Sequence, residues 1–242
     1  MSKKNPPPPA LSPWLRFFGR RSGKKLTARK QALLHHLLPT YQMTPTELKH
    51  KEFWANHKHW WLEVGFGGGE NLYHWAYHQP SIGFIGAEAF QPAVAKLLVA
   101  IDDGKKPLPN VNIHPNNIHQ ILPAMPDGCL DRIIILYPDP WPKKRHALRR
   151  MVSPISLPLF YRLLKKNGRF IFATDQAILL QSTMVCFQQD TNFRWVNHNP
   201  CQWLERPDFI LPSRYEIKSH HHHKTQKKFG KTPSYLIYEK IA

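Results

Sequence analysis

The sequence predicts an α/β domain, a mostly parallel sheet with helices on both faces and an antiparallel edge. Three observations carry this. From Trp60 onward, short apolar runs alternate with segments of helical spacing. Those runs are apolar at nearly every position, as strands buried on both faces are. Two late runs, Phe193–Val196 and Tyr235–Tyr238, close the chain without an intervening helix.

The elements follow in order. Trp60–Gly65 is strand one and Asn71–His78 a helix. Ile82–Glu88 is strand two, with a helix from about Gln91 to Ile101. Val111–His114 is a weak third strand, followed by a short helix near Ile118–Leu122. Leu130–Tyr137, with its three successive isoleucines, is a buried fourth strand. Leu157–Lys166 is helical and stops at Asn167-Gly168. Arg169–Thr174 is strand five, and a helix runs from Gln176 to about Gln188. Ahead of all this, residues 26–38 show helical spacing at Leu26, Leu33, Leu34, Leu37 and Leu38, closed by Pro39.

Composition narrows the function. The 242 residues include 34 Lys or Arg against 16 Asp or Glu, a formal charge of +18. That field favours phosphate-rich partners or an anionic membrane surface. With 42% hydrophobic residues the chain folds rather than remaining disordered. No apolar run approaches the ~20 residues of a membrane span, and no apolar signal region is seen, so no secretory signal is expected. Cys129, Cys186 and Cys201 form no CxxC pair, which fits a reducing cytoplasm. Nine Lys or Arg fall within the first thirty residues, beside the run Pro6-Pro7-Pro8-Pro9. Residues 1–25 are expected to be a flexible basic arm. Residues 26–242 form a single domain, with 26–58 as its N-terminal helical region.

Two segments carry chemistry. Leu62-Glu63-Val64-Gly65-Phe66-Gly67-Gly68-Gly69-Glu70 follows strand one and opens a helix. Glycine there permits positive φ and close approach of a ligand to the backbone. The dinucleotide fingerprint requires Gly where Glu70 stands, and Glu63 is hostile to a pyrophosphate. S-adenosylmethionine, a nucleoside with a sulfonium and an ammonium and no phosphate, suits carboxylates beside such a turn. Glu88, at the end of strand two, stands where an acid accepts from ribose hydroxyls. A tight turn flanked by two solvated glutamates would look the same. The second segment is Tyr137-Pro138-Asp139-Pro140-Trp141-Pro142-Lys143-Lys144-Arg145-His146, directly after strand four. Its prolines fix φ at alternate residues and stiffen the loop. Trp141 can stack on a base, Asp139 can accept from base N–H groups, and Lys143, Lys144, Arg145, Arg149 and Arg150 can hold phosphates. A rigid loop with a solvated charge run is the competing reading.

LEVGFGGGE, GAE, PDPWPKKRH and ATD, in this order between about residues 60 and 216, resemble the tRNA (guanine-N7-)-methyltransferase family. PDPWPKKRH is the specific match. Phe18-Gly19-Arg20-Arg21-Ser22-Gly23-Lys24 is similar to the N-terminal stretch of bacterial members. The resemblance implies a Rossmann-like class I methyltransferase fold with a seven-stranded sheet, S-adenosyl-L-methionine as cofactor and tRNA as partner. It also implies methylation of guanine N7 in the variable loop, at tRNA position 46. By it, Glu63, Gly65, Gly67, Glu88 and Asn117 (with Asn116 as the alternative register) hold the cofactor. Asp139 is the active-site acid, also at the cofactor. Lys143 and Asp175 contact tRNA. The family's Thr-x-x-Glu substrate motif falls on Ser213-Arg214-Tyr215-Glu216.

Other features point elsewhere. His220–His223 lacks spaced Cys or Asp partners, so no metal is expected and the run reads as a solvated loop. His35-His36 reads as structural, and Trp60, Trp61 and Trp75 as core. Two rivals stay open at this stage: a methyltransferase acting on rRNA or another tRNA atom, and a non-catalytic RNA-binding module driven by charge.

Overall fold

Side chains along the central strands separate into two sets with a period of two. Leu62, Val64, Ile133, Ile135, Phe170 and Phe172 enter one hydrophobic cluster. Trp61, Ile134, Ile171 and Ala173 enter another. Such a sheet is buried on both faces and must be covered twice. The computed structural model, which describes residues 19–212 and 232–241, shows this arrangement.

Seven strands form one sheet: β1 (His59–Val64), β2 (Ile82–Ala87), β3 (Val111–His114), β4 (Leu130–Leu136), β5 (Leu164–Thr174), β6 (Phe193–Trp195) and β7 (Ser234–Lys240). Their order is β3-β2-β1-β4-β5-β7-β6. The first five pair in parallel. β7 runs antiparallel to β5, and β6 pairs antiparallel to β7 at the edge, although, contrary to expectation, a short helix (Pro200–Leu204) lies between β6 and β7 in the chain. Three helices, α1 (Ala28–His36), α2 (Leu38–Tyr41) and α3 (Lys51–Ala55), precede β1 in the chain. One face of the sheet is covered by α4 (Glu70–His78) and α5 (Gln91–Asp103), through Leu72, Trp75, Val94, Leu97 and Leu98. The other is covered by α6 (Leu157–Leu163) and α7 (Ala177–Gln188), through Phe160, Leu163, Leu179 and Phe187. Gly86 in β2 has a packing reason: a Cβ there would stand 2.4 Å from Leu72 and 2.8 Å from Phe66.

Four local expectations are corrected. The helical segment at 26–38 is two helices, α1 (Ala28–His36) and α2 (Leu38–Tyr41), and Pro39 sits in the first turn of the second rather than closing the first. Proline is tolerated there because the first-turn N–H has no helical partner. His35 and His36 are exposed, edge to face on each other, and support no core. The helix predicted to reach Lys166 ends at Leu163. Leu164 is fully buried and pairs with Leu130, while Lys165 reaches the Asp131 carboxylate at 2.7 Å and the Lys58 carbonyl at 2.9 Å. Sheet pairing overrides the helical propensity of two lysines, and the strand bulges with Asn167 at φ 63°. The short helix near 118–122 is two 3₁₀ turns, Ile118–Gln120 and Leu122–Ala124.

Phe170 is fully buried against the rings of Phe160 and Phe187. Phe170→Ala is expected to cost about 3–5 kcal/mol, measured by urea denaturation.

Candidate active site

β1, β2 and β4 end level with one another: Val64 pairs with Ala87 on one side and Ile135 on the other. The loops that follow therefore emerge together at the carboxyl edge of the sheet, where open α/β folds bind ligands. They enclose a cavity of about 780 Å³ lined by Gly65 and Gly67 after β1, Glu88 after β2, Asn116 and Asn117 after β3, and Tyr137, Asp139 and Trp141 after β4. That volume lies within the range of small-molecule sites.

The glycine turn owes its residues to backbone geometry. Gly65 and Gly67 have φ of 72° and 56°, and a Cβ on either would meet nothing within 4 Å. Any side chain would be strained and would project into open space that a ligand can fill. The Gly65 N–H donates to the Ala87 carbonyl at 2.7 Å, and the Gly67 N–H donates to Glu88 Oε2 at 3.0 Å. Glu88 Oε1 accepts from the Phe90 N–H at 2.8 Å. Glu88 is thus locked in orientation. Burial pushes its carboxyl up, against the backbone donors of Phe90, Gly67 and Ala89, and the Asp139 charge adds to the rise.

Glu63 departs from expectation in one respect. It does not line the cavity, although Val64 and Gly65 do. Its side chain is buried at 3% exposure behind the turn, and Oε2 has no hydrogen-bond partner among the described residues. Desolvation, then the charges of Glu70 and Glu88, hold its pKa well above the usual carboxylate range. Asn117 caps the 3₁₀ turn Ile118–Gln120, with Oδ1 accepting from the His119 N–H at 3.2 Å, while Asn116 Oδ1 accepts from the Asn117 N–H at 2.8 Å. Both line the cavity.

The proline loop is held at both ends in unusual backbone. Tyr137 and Trp141 have φ of 52° and 42°, a conformation that costs non-glycine residues on the order of 1–3 kcal/mol and recurs at functional sites. The Tyr137 N–H donates to the Ala173 carbonyl at 2.8 Å, and its hydroxyl meets that of Tyr235 in β7 at 2.8 Å. Asp139 is exposed at the cavity wall. The Arg149 guanidinium stands 5.1 Å from the Trp141 ring centroid, and Arg150 donates to the Trp141 carbonyl at 3.2 Å. Two of the five cations expected on phosphates are therefore turned inward, while Lys143, Lys144 and Arg145 are exposed.

Lys143 and Asp175 do not line the cavity. Asp175 directly follows β5 and accepts from the Gln176 amide at 2.9 Å. Ser213, Arg214, Tyr215 and Glu216, and the run His220–His223, lie outside the described residues. Sequence reasoning missed Gly19 and Arg20, which line the cavity, and Arg21, whose carbonyl accepts from the Gln91 N–H at 3.0 Å. Residues 19–25 of the expected arm therefore include a part laid against the start of α5. Gly23 packs there as well: a Cβ on it would stand 3.0 Å from the Phe90 ring. Among the described residues no group of three or more His, Cys, Asp or Glu side chains could hold a metal, and no helix is long and apolar enough to cross a membrane.

A doubly covered, mainly parallel sheet with a glycine turn after β1 and an acid after β2 defines the fold of a class I methyltransferase. The aminoglycoside resistance methyltransferase NpmB1 superposes with a TM-score of 0.51 at 16% identity, over 83% of this chain and 95% of its own. The antibiotic-resistance methyltransferase Kmr does so with 0.51, also at 16% identity, over 82% and 94%. These likenesses establish the fold. A family model described as "Putative methyltransferase" matches residues 57–229. The tRNA (guanine-N(7)-)-methyltransferase of Rhodospirillum rubrum is 39% identical over 93% of this chain and 88% of its own length. That of Rhizobium johnstonii is 37% identical over 93% and 94%. The chain belongs to the tRNA (guanine-N(7)-)-methyltransferase family.

The residues present fit S-adenosylmethionine as methyl donor. The open face of Gly65 and Gly67 admits a ligand against the backbone. Glu88 is fixed where it can accept from hydroxyls.

Because the folded state holds the Glu63 proton to higher pH than the unfolded chain, its contribution to stability is complete below the ordinary value of 4.5 and is lost as pH rises toward the folded value. Glu63→Gln is expected to stabilise the ligand-free protein by about 1–3 kcal/mol at neutral pH and to flatten that decline. Thermal unfolding from pH 5 to 8 measures it. A parallel decline in both proteins would refute the assignment.

Proposed function

We propose that this protein methylates N7 of a guanosine in the variable loop of tRNA, position 46, with S-adenosyl-L-methionine as donor. The observation that carries this reading is that Asp139 and the Gly65–Gly67 turn line one cavity. A carboxylate able to face a purine thus shares a cavity with a backbone cradle suited to a nucleoside.

The chemistry asks little of the protein beyond placement. Guanine N7 carries a lone pair and no proton at neutral pH, so no general base is needed there. When bound, S-adenosylmethionine supplies an electrophilic methyl on a sulfonium. Glu88 and Asn117 hold its nucleoside end, and Gly65 and Gly67 let it lie against the chain. Glu63 balances a cationic end. Asp139 and Glu216 accept from the N1–H and N2–H₂ of guanine, orient N7 and raise electron density on the ring. Positioning of this kind contributes up to about 7–11 kcal/mol. A base that stacks on Trp141 replaces the Arg149 guanidinium on that face or takes the other one. Lys143, Lys144 and Arg145 hold phosphates, and Asp175 contacts tRNA from the end of β5. The unlike charges of surface and cavity suit both ligands: a polyanion outside, a cation within.

Incubation with radiolabelled methyl donor and bulk tRNA, followed by borohydride reduction and aniline cleavage, locates the product. Cleavage at position 46 supports the reading, and label at another atom overturns it. Asp139→Ala is expected to lower kcat by about a hundredfold or more, with tRNA Kd changed far less. Near-normal turnover would remove Asp139 from the site. Residues 1–18 carry Lys3, Lys4 and Arg16, assigned to sequence-independent contact with RNA. Removing them is expected to flatten the slope of log K against log salt by up to about 2–3, read from filter binding. An unchanged slope rejects the arm as an RNA contact.

A further inference from the structure

We infer that Tyr235 is a positioning residue of the reaction: through the hydroxyl of Tyr137 it sets where the proline loop holds Asp139. The inference rests on the function proposed above and extends it to a β7 side chain that does not itself line the cavity. Tyr137 stands where the loop leaves β4. It lines the cavity, as does Asp139 two residues on, and two residues span about 7 Å at most. Between them, the ring of Pro138 fixes its own φ and restricts the backbone of the residue before it. The link from Tyr137 to Asp139 is therefore short and stiff, and a shift at Tyr137 passes on to the carboxylate.

Tyr137 does not keep this place by its own preference. Its φ of 52° is costly for a residue with a Cβ, and such a conformation persists only where its surroundings fix it. Two contacts do so here. The Tyr137 N–H donates to the Ala173 carbonyl at 2.8 Å, and its hydroxyl meets the Tyr235 hydroxyl at 2.8 Å. The two have one origin, because Ala173 and Tyr235 are direct partners in the antiparallel pairing of β5 with β7. A slip of one residue in β7 would send the Tyr235 side chain to the other face of the sheet and take the hydroxyl from Tyr137.

The anchor is itself rigid. Tyr235 is 1% exposed. Its carbonyl accepts from the Asn197 side-chain amide at 2.7 Å, while Asn197 Oδ1 accepts the Ile237 N–H at 2.9 Å and the Trp195 indole N–H at 3.0 Å. The loop is thus braced against the antiparallel edge of the sheet. The residue type fits this role. At such burial a phenylalanine would fill the same space without the cost of taking a hydroxyl out of water. The hydroxyl is the part that reaches the loop. Small errors of placement matter there, since a displacement of about 1 Å can cost a reaction about a hundredfold.

The test is Tyr235→Phe, which keeps the ring and removes the hydroxyl. Methyl transfer is read as total label passed from radiolabelled donor to bulk tRNA, and the modified atom is mapped separately. kcat is expected to fall by about three- to tenfold, the range of one hydrogen bond. S-adenosylhomocysteine affinity by calorimetry and tRNA Kd are expected to stay at their wild-type values. Tyr137→Phe is expected to lower kcat as far, and the double variant no further than either. In the Asp139→Ala background Tyr235→Phe is expected to change nothing, because the carboxylate that it places is gone. Wild-type kcat in Tyr235→Phe overturns the proposal. So does a further fall of the same size in the Asp139→Ala background, or a loss of donor affinity that accounts for the fall. A second measurement needs no methyl transfer. Pro138, Pro140 and Pro142 have no N–H, so the amides from 137 to 142 are those of Tyr137, Asp139 and Trp141. Their hydrogen exchange is expected to quicken by about two- to tenfold in Tyr235→Phe, and an unchanged rate overturns the proposal. A wild type that transfers no label, or labels another atom, contradicts the proposed function, and the exchange rate still decides whether Tyr235 holds the loop.

Discussion

The pairing of β1 with β4 is the constraint on which the site depends. Leu62 faces Ile133, Glu63 faces Ile134 and Val64 faces Ile135. A slip of one residue would send Ile133 and Ile135 to the α4–α5 side and Ile134 to the α6–α7 side, reversing both cores at once. Burial on two faces therefore fixes the register to the residue. The register in turn sets the glycine turn and the proline loop side by side at the end of the sheet. Glu88 joins them because β2 pairs with the other edge of β1 and ends at the same level.

Charge is divided between surface and interior. The chain carries +18 overall, yet Glu63, Glu88 and Asp139 gather around the turn and cavity. Burial raises the first two above their ordinary range, the Glu88 charge adds to the rise at Glu63, and the Asp139 charge adds to the rise at Glu88. A cation entering the cavity relieves that repulsion, whereas a phosphate would add to it. The basic exterior works in the opposite sense and draws a polyanion towards the same edge. The two fields sort the two ligands.

The proline loop illustrates how local covalent restriction and distant packing share one task. Pro138, Pro140 and Pro142 remove freedom before folding begins. The positive φ of Tyr137 and Trp141 is imposed from outside the loop. Ala173 accepts the Tyr137 N–H, Tyr235 meets its hydroxyl, and Arg149 and Arg150 hold Trp141 by ring and carbonyl. Two of these partners come from β5 and β7, far along the chain, and the other two from the basic run that follows the loop.

The strand–helix alternation, the double covering of the sheet, the glycine turn and the proline loop were all legible in the sequence, because each is written in residue types within a short window. Apolar runs can only be buried, glycine tolerates positive φ, and proline restricts its own backbone whatever lies nearby. The end of α6 at Leu163 was not legible, since a partner strand claims Leu164 against the propensity of the lysines after it. Nor were the seat of Glu63 behind the cavity wall, the inward turn of Arg149 and Arg150, or the place of Gly19 and Arg20 in the lining. Each of these joins residues through the packed interior. Such contacts follow from which elements become neighbours in the sheet, a choice made by the whole core at once rather than by any one stretch of chain.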